Sequence, residues 1–321
     1  MLTRSLASAL LLAAFLAGGS DSRAQAPAPT VLRIGTPGND GNALAFYAQA
    51  LGFFKRYGIE PQTQLVRFGG GSGIAAALQG KALDVGEADL VAIATAREHG
   101  VNLTLLAPSY MYRTGDLTSA IIAARNSGIR SAKDLNGKVI GVASLGGVGR
   151  MLTTKWLDKN GADVNSVKFV ELPQVSMAAA LVRGTIDAAQ SGEPNITAAG
   201  DDVRILASTY AALGRQVQAT AWCATEDWVK SNPESAKRFV AAIHEAAVWG
   251  DDARNHEKSA EILRQWVPFP ENLAQKMHRA YYGQAFEVSA LQPLLDAALE
   301  YKSLQVHASA RDMLSPYALT R

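Results

Sequence analysis

Apolar and polar positions follow two rhythms along this chain, short apolar runs and runs spaced by three and four. Val31 to Gly35 reads as a strand closed by the polar loop Thr36 to Gly41. Leu44, Tyr47, Leu51 and Phe54 then mark one helical face as far as Gly58. Glu60 to Phe68 is a second strand, and the turn Gly69 to Gly73 opens a helix from Ile74 to Gln79. Ala82 to Val85, a helix over Leu90 to Glu98 and a strand over Leu103 to Ala107 complete the block. Such alternation implies a mainly parallel sheet with right-handed crossovers.

A second block repeats the rhythm. Val139 to Ala143 is a strand, Ser144 to Gly147 a turn, and Val148, Leu152 and Trp156 one face of a helix ending at Gly161. Strands follow over Lys168 to Leu172, Ile186 to Ala189 and Val203 to Ala207, with helices over Ser176 to Val182 and Pro194 to Ala199 between them. Ala77 to Asp84 echoes Ala180 to Asp187, each with a helix, a glycine turn and a strand with Asp at its edge, the glycine displaced by one position. From Gln218 onward the pattern is mainly helical: a strong start at Ser231-Asn232-Pro233-Glu234, then helices over Glu257 to Trp266, Glu271 to Tyr282 and Leu294 to Leu304.

Composition narrows the function classes. The 321 residues suggest two domains, and 31 Lys+Arg against 29 Asp+Glu are too balanced for a nucleic-acid or anionic-membrane partner. One cysteine, Cys223, excludes an intramolecular disulfide framework, a cysteine-rich zinc site and an iron–sulfur cluster. No metal site and no cofactor is expected. Arg4, the apolar run Leu6 to Ala17 and Ala24-Gln25-Ala26 form a signal-peptide pattern cleaved after Ala26, with no cysteine for a lipid anchor. No other run is long enough to span a bilayer, so a periplasmic, exported protein that is not membrane-embedded is expected.

Phosphate-binding, dinucleotide, zinc-protease and serine-hydrolase motifs are absent, and the five histidines are scattered. Nothing demands catalysis. What stands out is a glycine-rich strand-to-helix turn in each block, Gly69 to Gly73 and Ser144 to Gly149. Free N–H groups and the helix dipole make such turns sites for carboxylate, sulfonate, nitrate or phosphate.

Ala50-Leu51-Gly52-Phe53-Phe54-Lys55-Arg56-Tyr57-Gly58-Ile59, Asp134-Leu135-Asn136-Gly137-Lys138-Val139-Ile140-Gly141-Val142, Gly184 to Ala189 and Glu193-Pro194 together resemble the periplasmic solute-binding proteins of ABC importers. The resemblance is to the branch serving nitrate, alkanesulfonates, taurine and thiamine-pyrimidine precursors. It implies a two-lobed α/β fold of the type II periplasmic-binding-protein kind, each lobe a mainly parallel sheet flanked by helices, with a hinge crossed twice. Residues 27–115 and 220–321 would form lobe 1 with the C-terminal helices, and 116–219 lobe 2. The ligand would lie in the interlobe cleft among Asn39, Asp40, Gly70, Gly71, Ser72, Asp89 and Tyr110 of the first lobe. Ser144, Gly146, Gly147, Gln174 and Glu193 would face them from the second, with Trp222 near the return hinge. Glu193 has a second reading, as the cap of the helix opened by Pro194.

The implied partners are a small-molecule ligand and ABC permease subunits with their ATPase, for a monomer that is not an enzyme. The expected function is high-affinity capture of a small organic solute with an anionic end, sulfonate- or carboxylate-like. No arginine is expected in a cleft loop except Arg113 and Arg150, the natural clamps for such an anion. Alternatives are a thiamine-pyrimidine-like ligand, presentation of a ligand to a membrane sensor, or a pyrimidine-precursor synthase. The synthases carry a cysteine-rich motif that this chain lacks.

Overall fold

The computed structural model describes residues 29–66 and 70–321, so the expected signal peptide, Phe68 and Gly69 lie outside the described residues. The first block runs β1 (Thr30–Thr36), α1 (Leu44–Ala50), α2 (Phe53–Arg56), β2 (Ile59–Leu65), α3 (Gly70–Gln79), β3 (Val85–Asp89), α4 (Leu90–Glu98) and β4 (Leu103–Pro108). After β5 (Met111–Arg113) the second block runs β6 (Ser119–Ala124), β7 (Val139–Val142), α5 (Val148–Lys159), β8 (Lys168–Glu171), α6 (Gln174–Val182), β9 (Ala188–Gly192), α7 (Asn195–Ala199) and β10 (Val203–Ser208). The chain returns through β11 (Gln216–Gln218) and β12 (Thr220–Thr225) to α8 (Glu226–Ser231), α9 (Pro233–Gly250), α10 (His256–Trp266) and α11 (Val288–Glu300).

Two five-stranded sheets result, in the orders β2-β1-β3-β12-β4 and β10-β6-β9-β7-β8. In each, three neighbouring strands are parallel and one strand, β12 or β6, is reversed between two others. Both reversed strands are the ones that arrive from the other sheet. The two crossings pair with each other, β5 antiparallel to β11.

Burial follows the patterning. β6 sends Ala120 and Ile122 into one apolar cluster with α6 and Ile121 and Ala123 into another with Trp156, as strand alternation requires. The largest cluster covers the first sheet, α1, α9 and α10, and it also takes in Met151 and Leu152 of α5 from the second block. α9 starts at Pro233, where a missing N–H costs nothing, and buries Phe239, Ile243 and Ala247. Phe239 meets Phe54 at 6.0 Å between ring centroids and Trp222 at 5.4 Å.

Several elements differ from expectation. The helix through Leu51 is broken, because Gly52 sits at φ +75° between α1 and α2. α3 begins at Gly70, so the described glycines of the first turn lie inside the helix and not ahead of it. Thr220 to Thr225, expected at the start of a helical region, is the strand β12, buried between β3 and β4. The segment from Glu271 to Tyr282 holds only a 3-10 turn at Glu271–Leu273. The N–H groups of Ala280 and Tyr282 are taken by the carboxylates of Asp40 and Asp251, at 2.7 and 2.8 Å, instead of by a helix. α11 starts earlier than expected, at Val288, and keeps Pro293 inside it.

Candidate functional site

A cavity of about 600 Å³ lies at the carboxyl ends of both parallel runs. From the first sheet it receives Asn39 and Asn42 after β1, Gly70, Gly71 and Ser72 after β2, and Asp89 at the end of β3. From the second come Ser144, Gly146 and Gly147 after β7, Gln174 after β8, and Gln190, Gly192 and Glu193 around the end of β9. The crossings add Tyr110, Thr118, Ser119, Thr209, Tyr210 and Thr220. Every residue proposed from the sequence lines this cavity except two.

Asp40 is 1% exposed and faces the other way. Arg279 clasps it, with Nη2 2.7 Å and Nε 3.0 Å from Oδ1, and Tyr282 donates to its carbonyl oxygen at 2.6 Å. The reason is a buried cation from near the end of the chain, which a loop-by-loop reading does not anticipate. Trp222 is wholly buried in β12 against Phe239, in the core behind the cavity.

The acidic side chains at the rim are engaged. Asp89 caps α4, accepting the Ala92 N–H at 2.9 Å. Glu193 accepts the Thr197 N–H at 3.0 Å, the Thr197 hydroxyl at 2.7 Å and, from the far C-terminal segment, the His278 N–H at 3.1 Å. Burial raises both carboxyls above their ordinary range, against these hydrogen bonds. Tyr110 donates to Asp116 at 2.9 Å and meets Tyr210 edge-on at 5.7 Å; burial holds its hydroxyl well above the usual range.

Arg113 and Arg150 do not line the cavity. Arg113 stacks on Tyr281 at 3.0 Å from its ring centre, and Arg150 lies over Phe169 and donates to the Leu145 carbonyl at 3.1 Å. Among the described residues, no lysine or arginine lines the cavity. Positive potential there comes from the backbone: α3, α5 and α6 all start at its wall, with the positive ends of their dipoles toward it.

Two glycines have steric work. A Cβ at Gly71 would stand 2.4 Å from that of Ala92 and 2.8 Å from Asp89 Oδ2, so the glycine lets α3 approach α4. One at Gly149 would stand 2.2 Å from Gln190 Oε1. Gly146, by contrast, has nothing within 4 Å. Sequence reasoning missed Asn42, Gln190, Tyr210 and Thr220. A signal existed for Gln190, a polar residue within an apolar strand, and equally for its neighbour in kind Glu87.

Two sheets joined by a double crossing, with a cavity at their carboxyl ends, form the periplasmic-binding-protein architecture. The chain belongs to the NMT1/THI5 like family, which matches residues 40–256. Among curated relatives, the nitrate/nitrite binding protein NrtA of Synechococcus elongatus is 28% identical over 141 residues, 43% of this chain and 32% of that protein. The chain thus matches about a third of that relative's length. Among solved structures, the alkanesulfonate-binding protein SsuA of Xanthomonas axonopodis pv. citri, bound to MOPS, superposes with a TM-score of 0.73 at 20% identity, over 90% of this chain and 99% of that one. The periplasmic nitrate-binding protein NrtA of Synechocystis PCC 6803 gives 0.70 at 19% identity, over 90% and 86%. The structural likeness speaks to the fold; the curated NrtA relatives are themselves binding proteins.

Proposed function

We propose that the protein captures a small organic solute with an anionic end, sulfonate- or carboxylate-like, and delivers it to an ABC permease. The observation that carries this is the convergence of three helix N-termini on one cavity whose described lining holds no lysine or arginine. Backbone donors can hold a sulfonate or carboxylate without a cationic side chain. An anion as small as nitrate fills only a small part of about 600 Å³, and tyrosines and alanines line much of the rest, which favours an organic body.

The lobes are residues 27–115 with 220–321, and residues 116–219, closing about the two crossings. The partition is supported by β1 to β4 sharing a sheet with β12, and β6 to β10 forming the other. Closure follows because a ligand touching both lobes favours the state in which it does so. The role proposed is that of a monomer exported to the periplasm; among the described residues no helix is long and apolar enough to cross a membrane. A pyrimidine-like ligand loses support, since Asp89 and Glu193 already serve as helix caps.

A melting screen over alkyl and aryl sulfonates, aromatic carboxylates, nitrate and aminopyrimidines tests this. A solute at 100 times its Kd adds about 2.7 kcal/mol of stability. A sulfonate or carboxylate is expected to raise the melting temperature most. No rise from any class, with turnover of one compound instead, would sink the proposal.

A further inference from the structure

Glu87 and Gln190 hold the same place in the two sheets. Val85 lies beside Ile34 of β1 and Ala188 beside Ile140 of β7, so two residues further on Glu87 and Gln190 coincide. The reversed strands agree, with Thr220 opposite Asp89 and Ser119 opposite Gly192. Each hydroxyl meets its twin: Thr220 Oγ1 donates to Glu87 Oε1 at 2.9 Å, and Gln190 Nε2 donates to Ser119 Oγ at 3.0 Å. Thr220, Ser119, Gln190 and Asn42 all line the cavity, and Glu87 lies beneath it with no exposure.

The groups that hydrogen-bond to Glu87 are all uncharged: the Asn42 amide and the hydroxyls of Thr36, Ser109 and Thr220. Oε1 accepts the Asn42 amide at 2.6 Å and the Thr220 hydroxyl, whose own oxygen already accepts the Tyr110 N–H at 3.1 Å. Oε2 stands 3.0 Å from the Thr36 hydroxyl. That hydroxyl has one proton and lies 2.8 Å from the Asn42 carbonyl oxygen, which can only accept. With that proton given to a carbonyl, of Asn42 or of Pro37 at 3.2 Å, the contact to Oε2 is a hydrogen bond when Oε2 carries a proton; given to Oε2, it comes from a neutral donor. The second sheet supplies the uncharged isostere of that form at the same position.

We propose that Glu87 is held as the neutral acid and is a positioning residue of the ligand site, fixing Asn42 and Thr220 over an uncharged floor that admits an anion. Other groups around it leave this undisturbed. On its own strand Asp89 caps α4. On β12 burial pushes the Cys223 thiol up. In the loop after β1, Asp40 is paired with Arg279, and after β4 the Ser109 hydroxyl hydrogen-bonds to Glu87. None of its hydrogen-bond partners is a cation, and burial raises the carboxyl from 4.5 to about 7.

Infrared titration of the ligand-free protein and of Glu87→Gln tests the protonation directly. The expected result is a protonated-carboxyl band in the wild type at about pH 6, lost by about pH 9 and missing from the variant. The second arm rests on the anionic ligand of the preceding section and uses benzenesulfonate as probe. Its Kd should weaken about tenfold between about pH 6 and pH 8 in the wild type and stay flat in Glu87→Gln. A wild type without the Glu87-dependent band overturns the proposal, whatever binds. With the band present, equal affinity at both pH values overturns the uncharged floor. If the band behaves as expected and no sulfonate or carboxylate binds at either pH, the neutral Glu87 stands and the ligand proposal falls.

Discussion

Read from the edge inward, the two sheets run β2-β1-β3-β12-β4 and β8-β7-β9-β6-β10, and much of the second is a copy of the first. Asp84 and Asp187, each just ahead of the third strand, both accept a first-strand N–H, that of Arg33 at 2.9 Å and of Val139 at 2.8 Å. The helix before them ends alike: Ala82 and Thr185 donate back to Ala77 and Ala180, and Lys81 and Gly184 to Leu78 and Leu181. Around the cavity the copy fails. The described part of the first sheet's glycine-rich turn follows β2, whereas the second sheet's follows β7, the counterpart of β1. Two turns that look like one repeated motif are separate solutions, so the scaffold is duplicated and the ligand surface is not.

The loops after the first strands differ most. In the first sheet Asp40 is locked by Arg279, whose side chain is 8% exposed; in the second, Leu145 is 43% exposed and its N–H goes only to Glu171 of the same block, at 3.0 Å. Arg279→Met leaves the Asp40 carboxylate buried and unpaired. It should therefore cost about 3–5 kcal/mol in urea unfolding, with much of that recovered in the Asp40→Asn double variant. Glu171→Gln, which changes the brace of the exposed loop, should fall within about 0.5 kcal/mol.

The glycine turns come next in size. Gly71→Ala should cost about 1–3 kcal/mol, because α3 must move off α4, and Gly146→Ala should leave stability within about 0.5 kcal/mol. Equal melting temperatures for the two would mean that α3 accommodates the methyl without strain, and the contrast would be lost.

The smallest effect concerns the displaced glycine of the echo. Lys81 at φ +56° and Gly184 at φ +70° occupy the same left-handed helix end, so the first sheet carries a strained lysine where the second carries glycine. Lys81→Gly should stabilise by up to about 1 kcal/mol and Gly184→Ala destabilise by about as much, both read from chemical denaturation midpoints.

Most strands and helices were legible because one face of each is buried, and α4 matches its expected limits at Leu90 and Glu98. β12 was not, since a buried run such as Ala221 to Ala224 lacks the alternation that distinguishes a strand from the start of a helix. The segment before Tyr282 has helical spacing but leaves helical turns after Met277, where Asp40 captures the Ala280 N–H from 240 positions away in sequence. The same distance hid the true role of Asp40. Gly70, Ser72, Ser144, Gly146 and Gln174 could be placed at the cavity because strand ends in this architecture face it, whereas Asn42, Tyr210 and Thr220 were missed. The polar residues Glu87 and Gln190 within apolar strands gain their meaning only from their match across the two sheets.

The reversed strand in each sheet also sets an order of assembly. All five strands of the second sheet fall between Ser119 and Ser208, so that sheet can be completed from one contiguous stretch. In the first sheet β4 has β12 as its one neighbouring strand, and β12 begins at Thr220. As the chain emerges from its N-terminal end, β4 waits without its strand neighbour through the whole of the second block, and the first sheet to start is the last to finish.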